Sequence, residues 1–318
     1  MPVKGGFGLG GRGFRCNWLA ASLAGAAGLA LLGLSSVAMA APGQPEPWQF
    51  LFQDAVTPVA DEIHWFNNML LVIVTAITAF VLGLLLYVVV RFNSRANPTP
   101  SHFHHNTLLE VAWTVIPILI LVFIAVPSFR LLYTQYSYPK PDLTIKAIGN
   151  QWYWSYQYPD IAEVKFDSLM LKDDVTKAMR DKGQQAPRLL AVDNEVVVPI
   201  DKNVLVLVTA NDVIHSWTVP SFGVKTDGVP GRITATWFRA TKPGIYYGVC
   251  SELCGVDHGF MPIAVRVVPQ QVFDAWVAIR KAGGKDVDDK ARAAITASLE
   301  SGVGKVAQNV PVTPTATP

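Results

Sequence analysis

The sequence predicts a membrane-anchored, all-β protein in which a two-helix transmembrane hairpin precedes a β-sandwich or barrel. Three observations support this prediction: two long uncharged apolar runs, a later region of short apolar segments separated by turn residues, and an unusual composition. Of the 318 residues, 51% are hydrophobic and only 16% are charged, whereas about 25% charged residues is usual for soluble domains. The net charge of +2 offers no polybasic surface, so nucleic acid is not an expected partner.

Residues 1–40 are predicted to be a secretory signal peptide. A basic start precedes an apolar stretch, which ends in a small-x-small tripeptide at 38–40. This order is typical of a signal peptide cleaved after residue 40. The alternative is that the segment stays in place as an additional transmembrane helix. Cleavage would remove Cys16 and leave Cys250 and Cys254 as the cysteines of the mature chain.

Two apolar runs predict transmembrane helices at 65–92 and 107–133. Both runs contain long stretches without Asp, Glu, Lys or Arg, and roughly 20 apolar residues span a bilayer. The segment between them, 93–106, has basic but no acidic residues, which is typical of a cytoplasmic loop. With the signal peptide cleaved, residues 41–64 are expected in the periplasm, together with everything that follows the second helix.

The region from 140 to 270 is predicted to be a periplasmic β-domain. Its short apolar segments alternate with turn residues, as in an antiparallel sandwich or barrel. The predicted strands are Leu143–Ile148, Glu195–Pro199, Val204–Thr209, Ala235–Phe238, Ile245–Tyr247 and Ile263–Val268. A polar insertion at 171–188 is expected to hold one or two helical turns. The remainder, 271–318, is expected to form a short amphipathic helix and a low-complexity tail.

Residues 250–261 predict a metal centre. Cys250, Cys254, His258 and Met261 place two thiols, an imidazole and a thioether in this short stretch, and His215 supplies a second imidazole. Sulfur with imidazole selects copper, zinc or iron–sulfur clusters. The thioether favours copper, because structural zinc sites close with Cys and His alone. A zinc site of two cysteines and two histidines and a disulfide between the cysteines remain as alternatives.

Two copper ions fit this set of donors better than one. A mononuclear blue-copper site uses one thiolate, two imidazoles and an axial Met, so that a second thiolate is left over here. Two bridging thiolates would hold the metals close together and spread one unpaired electron over both. Since little geometric change would then accompany electron transfer, the cluster indicates an electron carrier that binds no substrate.

Several longer motifs resemble those of subunit II of bacterial haem–copper cytochrome c oxidases. They follow the order of that family over roughly residues 55–280. The motifs are Glu110-Val-Ala-Trp-Thr-Val-Ile-Pro, Gly149-Asn-Gln-Trp-Tyr-Trp-Ser-Tyr-Gln-Tyr, Asp212-Val-Ile-His-Ser-Trp, Lys225-Thr-Asp-Gly-Val-Pro-Gly-Arg and the cysteine cluster. The resemblance implies a cupredoxin-like Greek-key β-barrel behind the hairpin. It also implies a multi-pass protein of the bacterial inner membrane, with this domain on the periplasmic side.

The resemblance implies a binuclear copper centre of the CuA type. Its expected ligands are Cys250 and Cys254 as bridges, His215 and Met261 on one copper, and His258 with the backbone carbonyl of Glu252 on the other. The side chain of Glu252 would also reach a magnesium ion shared with subunit I, unless it is an ordinary exposed loop glutamate. The sequence contains no Cys-x-x-Cys-His motif, so haem is expected only in the partner subunit.

The implied function is that of the oxidase subunit that accepts electrons. Reduced cytochrome c would donate one electron to CuA, which passes it to the haem/CuB centre of subunit I, where oxygen is reduced to water with proton translocation. Subunits I and III, cytochrome c and the lipid bilayer are the implied partners. A membrane-anchored periplasmic copper carrier, with an open and exchangeable site, is the alternative. The CuA domain of nitrous oxide reductase is disfavoured, because a large catalytic domain is not found in this sequence.

Four further residues receive roles from the resemblance. Glu110 would lie at the mouth of a proton pathway into subunit I; the simpler interpretation is a first-turn carboxylate favoured by the helix dipole. Trp152 would be exposed above CuA where the electron enters, although a core position is the alternative. If its segment is a strand, Trp152 and Trp154 share one face. Asp212, with Asp227, would attract a basic cytochrome c.

Overall fold

The computed structural model describes residues 43–99, 101–161, 164–284 and 286–300. In this part of the chain, two long apolar helices precede a β-sandwich, and two shorter helices follow it. The predicted fold class, a membrane hairpin followed by a β-domain, is therefore confirmed. The predicted signal peptide at 1–40 and the end of the predicted tail lie outside the described residues.

The first long helix, α1 (Pro58–Arg91), begins earlier than the predicted transmembrane segment at 65. Thr57 caps it, because its hydroxyl oxygen accepts a hydrogen bond of 3.1 Å from the Ala60 amide, and proline is favoured at the first helical position. The Thr57 hydroxyl in turn donates to the Phe222 carbonyl at 2.7 Å. The start of α1 is thereby attached to the β-sandwich.

The second long helix, α2 (Thr107–Tyr136), begins where the sequence predicts and extends beyond residue 133. The Asn106 side chain accepts a hydrogen bond of 3.2 Å from the Leu109 amide and caps the helix. Both α1 and α2 are long and apolar enough to cross a membrane. Their apolar side chains are largely exposed, as is expected of helices that face lipid or partner subunits.

Ten strands form two five-stranded sheets in the described chain. The strands are β1 (Leu143–Asn150), β2 (Tyr153–Gln157), β3 (Lys165–Ser168), β4 (Val196–Pro199), β5 (Val204–Ala210), β6 (His215–Val219), β7 (Val224–Gly228), β8 (Thr234–Phe238), β9 (Gly244–Cys250) and β10 (Pro262–Val268). One sheet has the order β3-β2-β1-β5-β8 and the other β4-β10-β9-β6-β7. All six predicted strands are present. The structure adds β2, β3, β6 and β7, which are short and carry polar residues.

Two strand pairs are parallel, which corrects the expectation of a wholly antiparallel domain. β1 pairs with β5, so that Ile145 lies opposite Val206, and β10 pairs with β4, so that Val265 lies opposite Val196. The other pairs are antiparallel. Apolar alternation marks a half-buried strand but carries no information on the direction of its neighbour.

The core lies between the two sheets and is rich in aromatic side chains. In β5 the residues alternate between buried and half-buried positions, so one face of the strand points into the core. Full burial of a large aliphatic or aromatic side chain contributes roughly 1.5–3 kcal/mol each. The largest fully buried aromatics are Trp154, Trp217, Trp276, Tyr156, Tyr158, Tyr246, Phe222 and Phe238.

Three shorter helices flank the sandwich. The polar insertion forms α3 (Asp173–Asp181), and the predicted amphipathic helix is α4 (Gln270–Ala282). A further helix, α5 (Val287–Glu300), occupies a segment for which the sequence predicted a low-complexity tail. Ala291 and Ile295 of α5 are buried in the main core, so the folded domain extends beyond residue 270.

Residues 43–57, here called the N-terminal strap, lie along the sandwich before α1 begins. The Gly43 carbonyl accepts a hydrogen bond of 2.8 Å from the Tyr247 amide in β9, and Val56 is hydrogen-bonded to Ser221 and Thr241. Gly43 has a φ of +90°, and a Cβ at this position would lie 2.2 Å from the Ile245 carbonyl oxygen. Glycine is therefore required where the strap meets β9.

Candidate metal centre

Two free thiols form the middle of the candidate site. Cys250 is the last residue of β9, and Cys254 follows in the loop toward β10. Their Sγ atoms are 3.9 Å apart, and both side chains are buried. Because a disulfide requires an S–S distance of about 2 Å, the arrangement does not support the disulfide alternative.

The structure brings all the predicted ligand groups to these thiols. β6 and β9 are neighbours, with Trp217 opposite Cys250, so His215 reaches the same end of the sheet. The contacts to Cys250 Sγ are His215 Nδ1 at 3.9 Å and the Glu252 carbonyl oxygen at 3.4 Å, and those to Cys254 Sγ are His258 Nδ1 at 3.5 Å and Met261 Sδ at 3.5 Å. Each thiol therefore has one imidazole and one further donor beside it.

The ionisation of the thiols fits a site for a cation. Burial opposes ionisation of Cys250, but hydrogen bonds with His215 and with the backbone lower the pKa of this thiol below its usual value. Burial and the neighbouring Cys250 raise the pKa of the Cys254 thiol. Cys250 therefore ionises readily to a thiolate, whereas Cys254 does so only when positive charge lies nearby. Soft sulfur donors beside imidazoles are the set that copper prefers.

Asp212 holds the imidazole of His215 from the side away from the thiols. Its Oδ1 lies 2.8 Å from His215 Nε2 and accepts a hydrogen bond of 2.7 Å from the Val213 amide. Its Oδ2 accepts a hydrogen bond of 2.7 Å from the backbone amide of Gln151. Partial burial opposes the effect, but these hydrogen bonds lower the pKa of Asp212. A carboxylate in this position fixes the ring so that Nδ1 points to Cys250.

Trp152 contacts the backbone of a candidate ligand residue. β2 begins only at Tyr153, so Trp152 lies in the turn after β1 and is not part of a strand. Its Nε1 donates a hydrogen bond of 3.3 Å to the Cys254 carbonyl. The indole is half-buried and packs against the core. Trp154 is fully buried, and its ring centroid lies 5.9 Å from that of His215.

Gln151 and two glycines also belong to the site, although the sequence predicts no role for them. Gln151 Nε2 donates a hydrogen bond of 2.8 Å to the Cys254 carbonyl. Gly149 lies under His215, since a Cβ there would be 2.6 Å from His215 Cδ2. Gly255 has a φ of +126°, and its Cβ would lie 2.9 Å from the Trp152 ring. Glycine is needed at both positions for close packing.

We expect Gly149→Ala to displace His215 and weaken metal binding. Overpacking of a tight core position typically lowers the free energy of unfolding by about 1–3 kcal/mol. Here the clashing atoms belong to a candidate ligand. Thermal unfolding and copper content of the purified chain measure the two effects. Gly259→Ala is the matched control, because a Cβ there meets no atom within 4 Å. Equal copper content in both variants would contradict the packing role of Gly149.

The remaining predicted site residues lie away from the thiols. Glu110 is in the first turn of α2, at the opposite end of that helix from the β-domain. Asp227 is in β7, and its carboxylate oxygen is 3.3 Å from Lys225 Nζ on the surface. The side chain of Glu252 is exposed on the loop between the two cysteines.

Two family models match the chain. One, described as cytochrome c oxidase subunit II, periplasmic domain, matches residues 143–268. The other, described as cytochrome c oxidase subunit II, transmembrane domain, matches residues 45–131. Together they cover the sandwich and most of the hairpin and strap, and the candidate metal centre lies within the first match.

Curated relatives match over most of their own length. A probable cytochrome c oxidase subunit 2 of Rickettsia bellii (strain RML369-C) is 54% identical over 235 residues, which is 74% of this chain and 85% of the relative. Cytochrome c oxidase subunit 2 of Cereibacter sphaeroides is 46% identical over 253 residues, 76% of this chain and 83% of the relative. The crystal structure of the periplasmic domain of subunit II of cytochrome oxidase of Bradyrhizobium japonicum is 55% identical, covering 46% of this chain and 98% of that one, with a TM-score of 0.42.

Proposed function

Because the chain belongs to the cytochrome c oxidase subunit II family, we propose that its thiol cluster holds a binuclear CuA centre. The chain is an electron-transfer subunit of a haem–copper oxidase, anchored in a membrane with its β-domain in the periplasm. The observation that carries the proposal is the pair of buried thiols 3.9 Å apart with an imidazole beside each. When bound, the centre supplies a carrier for single electrons.

Each donor has a distinct proposed task. Cys250 and Cys254 would bridge the metals, and the remaining ligands would be His215 with Met261 and His258 with the Glu252 carbonyl. Burial of the two cysteines, His215 and Met261, each at most 5% exposed, supports a closed site that holds its metal. An exchangeable copper carrier needs an open site, so this burial disfavours the carrier alternative. The exposed Glu252 carboxylate would be free to bind a magnesium ion shared with subunit I.

We expect the full-length chain, purified in mild detergent without other subunits, to bind two copper ions. Elemental analysis gives the stoichiometry, and electron spin resonance reports whether one unpaired electron is shared by two copper nuclei. Zinc added in equal amount should not displace copper, because the site offers a thioether and a carbonyl that zinc does not favour. One copper per chain, or preferential binding of zinc, would contradict the proposal.

The proposed electron donor is cytochrome c, with docking near Trp152. The indole contacts the Cys254 carbonyl on one side and remains half exposed on the other, which supports a role between donor and metal. Asp212 and Asp227 would provide negative charge that speeds the encounter. The hydrogen bond between Asp212 and His215 supports a second role for this carboxylate, which is to hold the proposed ligand His215 in position.

We expect Asp212→Asn to lower the copper affinity of the chain and Asp227→Asn to leave it unchanged. An amide at 212 cannot accept from both Gln151 and His215 as the carboxylate does, and loss of such a partner typically lowers metal affinity by roughly 10–100-fold. Asp227→Asn should keep full copper affinity, because its contacts are with Lys225 and Ser216, neither of which is a candidate ligand. Both variants should weaken the salt dependence of reduction by cytochrome c. Equal copper affinity in the two would refute the positioning role of Asp212.

Glu110 is proposed to lie at the mouth of a proton pathway into subunit I, on the cytoplasmic side of a bacterial inner membrane. Its position at the start of α2, across the membrane from the metal centre, supports this placement. Subunits I and III are the proposed neighbours within the complex. Ionisable groups in membrane segments are functional candidates, and this carboxylate is the one acidic residue in α2.

We expect Glu110→Ala to slow oxidase turnover severalfold without changing copper content or cytochrome c binding. The loss removes a proton-accepting group from the inner surface while the metal centre remains intact. Steady-state oxygen consumption measures turnover, and Glu110→Asp is the control that retains a carboxyl group and most of the activity. If Glu110→Ala retains normal turnover, the residue serves only the helix start.

A further inference from the structure

We propose that the outer end of the hairpin binds a zwitterionic phospholipid, with one acyl chain in the groove between α1 and α2. The groove has a volume of about 990 Å³. Its wall is largely apolar, as an acyl chain requires. The apolar lining residues include Phe66, Met69, Val122, Phe123, Val126 and Leu131.

The groove lies at the level of the outer leaflet. Its lining comes from the first turns of α1 and the last turns of α2, and both of these ends are next to the β-domain. Thr57, immediately before α1, is hydrogen-bonded to Phe222 of the sandwich, and α2 leads directly into β1. An acyl chain in the groove would therefore point from the periplasmic surface toward the middle of the bilayer.

Charges of both signs line this groove without contacting each other. Asp61 and Glu62 from α1 and Arg130 from α2 are among its lining residues. Within the described chain, none of the three forms an ion pair. Unpaired charges near the hydrocarbon region are costly, so a ligand carrying both charges would satisfy them together.

A phosphate paired with an ammonium group matches this arrangement. The Arg130 guanidinium would bind the phosphate with charge-assisted hydrogen bonds, and Asp61 with Glu62 would accept from the ammonium group. Trp65, which also lines the groove and is 60% exposed, offers an aromatic face to the same cation. An anionic lipid lacking the amine would leave two carboxylates unpaired beside its own negative charge.

A pocket next to the groove is where the lipid headgroup would lie. Arg130 lines it together with Tyr133 and Trp237, so this arginine lies between the groove and the base of the sandwich. Tyrosine and tryptophan are enriched at the level of lipid headgroups. The aromatic and charged residues thus lie where the headgroup of the lipid would be. The apolar part of the groove lies where its acyl chain would be.

The test uses the purified oxidase complex and two photoactivatable lipids. Phosphatidylethanolamine and phosphatidylglycerol, each with a diazirine in one acyl chain, are irradiated with the complex, and labelled peptides are identified by mass spectrometry. We expect phosphatidylethanolamine to label peptides containing Met69 and Phe123. Arg130→Gln should lower this labelling roughly tenfold, as loss of a charge-assisted contact predicts. Arg91→Gln, at the other end of α1, is the matched control and should leave it unchanged.

The carboxylates provide the test of headgroup selectivity. The double variant Asp61→Asn with Glu62→Gln should lower labelling by phosphatidylethanolamine and raise labelling by phosphatidylglycerol. Equal labelling by both lipids, or labelling unaffected by Arg130→Gln, would overturn the proposal. A photoreactive amino acid at position 123 gives an independent readout: a lipid adduct supports the site, and an adduct with another oxidase subunit assigns the groove to a protein interface. Copper content remains normal in every case, which separates this result from failure of the metal centre.

Discussion

Replacing Cys254 by serine is expected to abolish the proposed binuclear centre and reduce oxidation of cytochrome c to the background level. A serine hydroxyl does not ionise near neutral pH and is a harder donor than a thiolate, so it cannot bridge two copper ions. Cys254 also has His258 and Met261 beside its sulfur, and both donors would lose the atom they share. Copper analysis of the full-length chain and oxygen consumption of the assembled complex measure the loss.

Ser251→Ala is the matched control for this prediction. Ser251 lies in the same loop, and the contact that the fold uses is its backbone amide, which donates to the Ser216 carbonyl at 3.1 Å. The control should keep two copper ions and normal turnover. Circular dichroism of Cys254→Ser establishes that the domain remains folded, and Cys250→Ala provides a second route to the same loss. Two copper ions retained in Cys254→Ser would refute the bridging assignment.

Replacing Trp152 by alanine is expected to slow reduction of the metal centre by cytochrome c by orders of magnitude while leaving complex formation nearly unchanged. The indole links the surface to the Cys254 carbonyl through its Nε1 hydrogen bond, and alanine leaves a gap along this contact. Stopped-flow reduction at several ionic strengths separates the rate of electron transfer from the formation of the complex. The rate at saturating cytochrome c should fall, whereas the salt dependence of the encounter should persist.

Trp152→Phe distinguishes the ring from its hydrogen bond. Phenylalanine restores an aromatic surface but cannot donate to Cys254, so we expect its rate to lie between those of wild type and Trp152→Ala. Copper content is measured in each variant, because Trp152 also packs against the core and against Gly255. Loss of copper or unfolding in Trp152→Ala would show that the residue serves the core and that the electron enters elsewhere.

The sequence predicted the hairpin and most strands because hydrophobic length and alternation are local signals. The transmembrane segment was predicted from 65 because the apolar run begins after Asp61 and Glu62. The helix itself begins at Pro58, and Thr57 followed by Pro58 is a recognisable helix start. The helix α5 was missed because Ala291 and Ile295 form only a narrow apolar stripe in a polar segment. Parallel pairing of β1 with β5 depends on contacts between distant residues, which no local pattern records.

The candidate ligands were predictable because five side chains of rare types cluster in two short motifs. Their surroundings were not predictable in the same way. Asp212 was assigned to docking, and its bond to His215 follows from the turn that precedes β6. Gln151 carries no chemical signature of its own, and its contact with Cys254 joins residues 103 positions apart. Such contacts are set by the packing of loops, which sequence spacing does not reveal.

The N-terminal strap brings to the β-domain a segment that is separated from it in the sequence by two membrane-spanning helices. Gly43 and Val56 complete hydrogen bonds of Tyr247 and Thr241, and Thr57 reaches Phe222 across 165 positions of chain. The strap can meet these partners only if both helices are inserted with their outer ends on the same side. Attachment of the strap to the domain therefore requires correct membrane topology, and a misinserted chain would lack these hydrogen bonds.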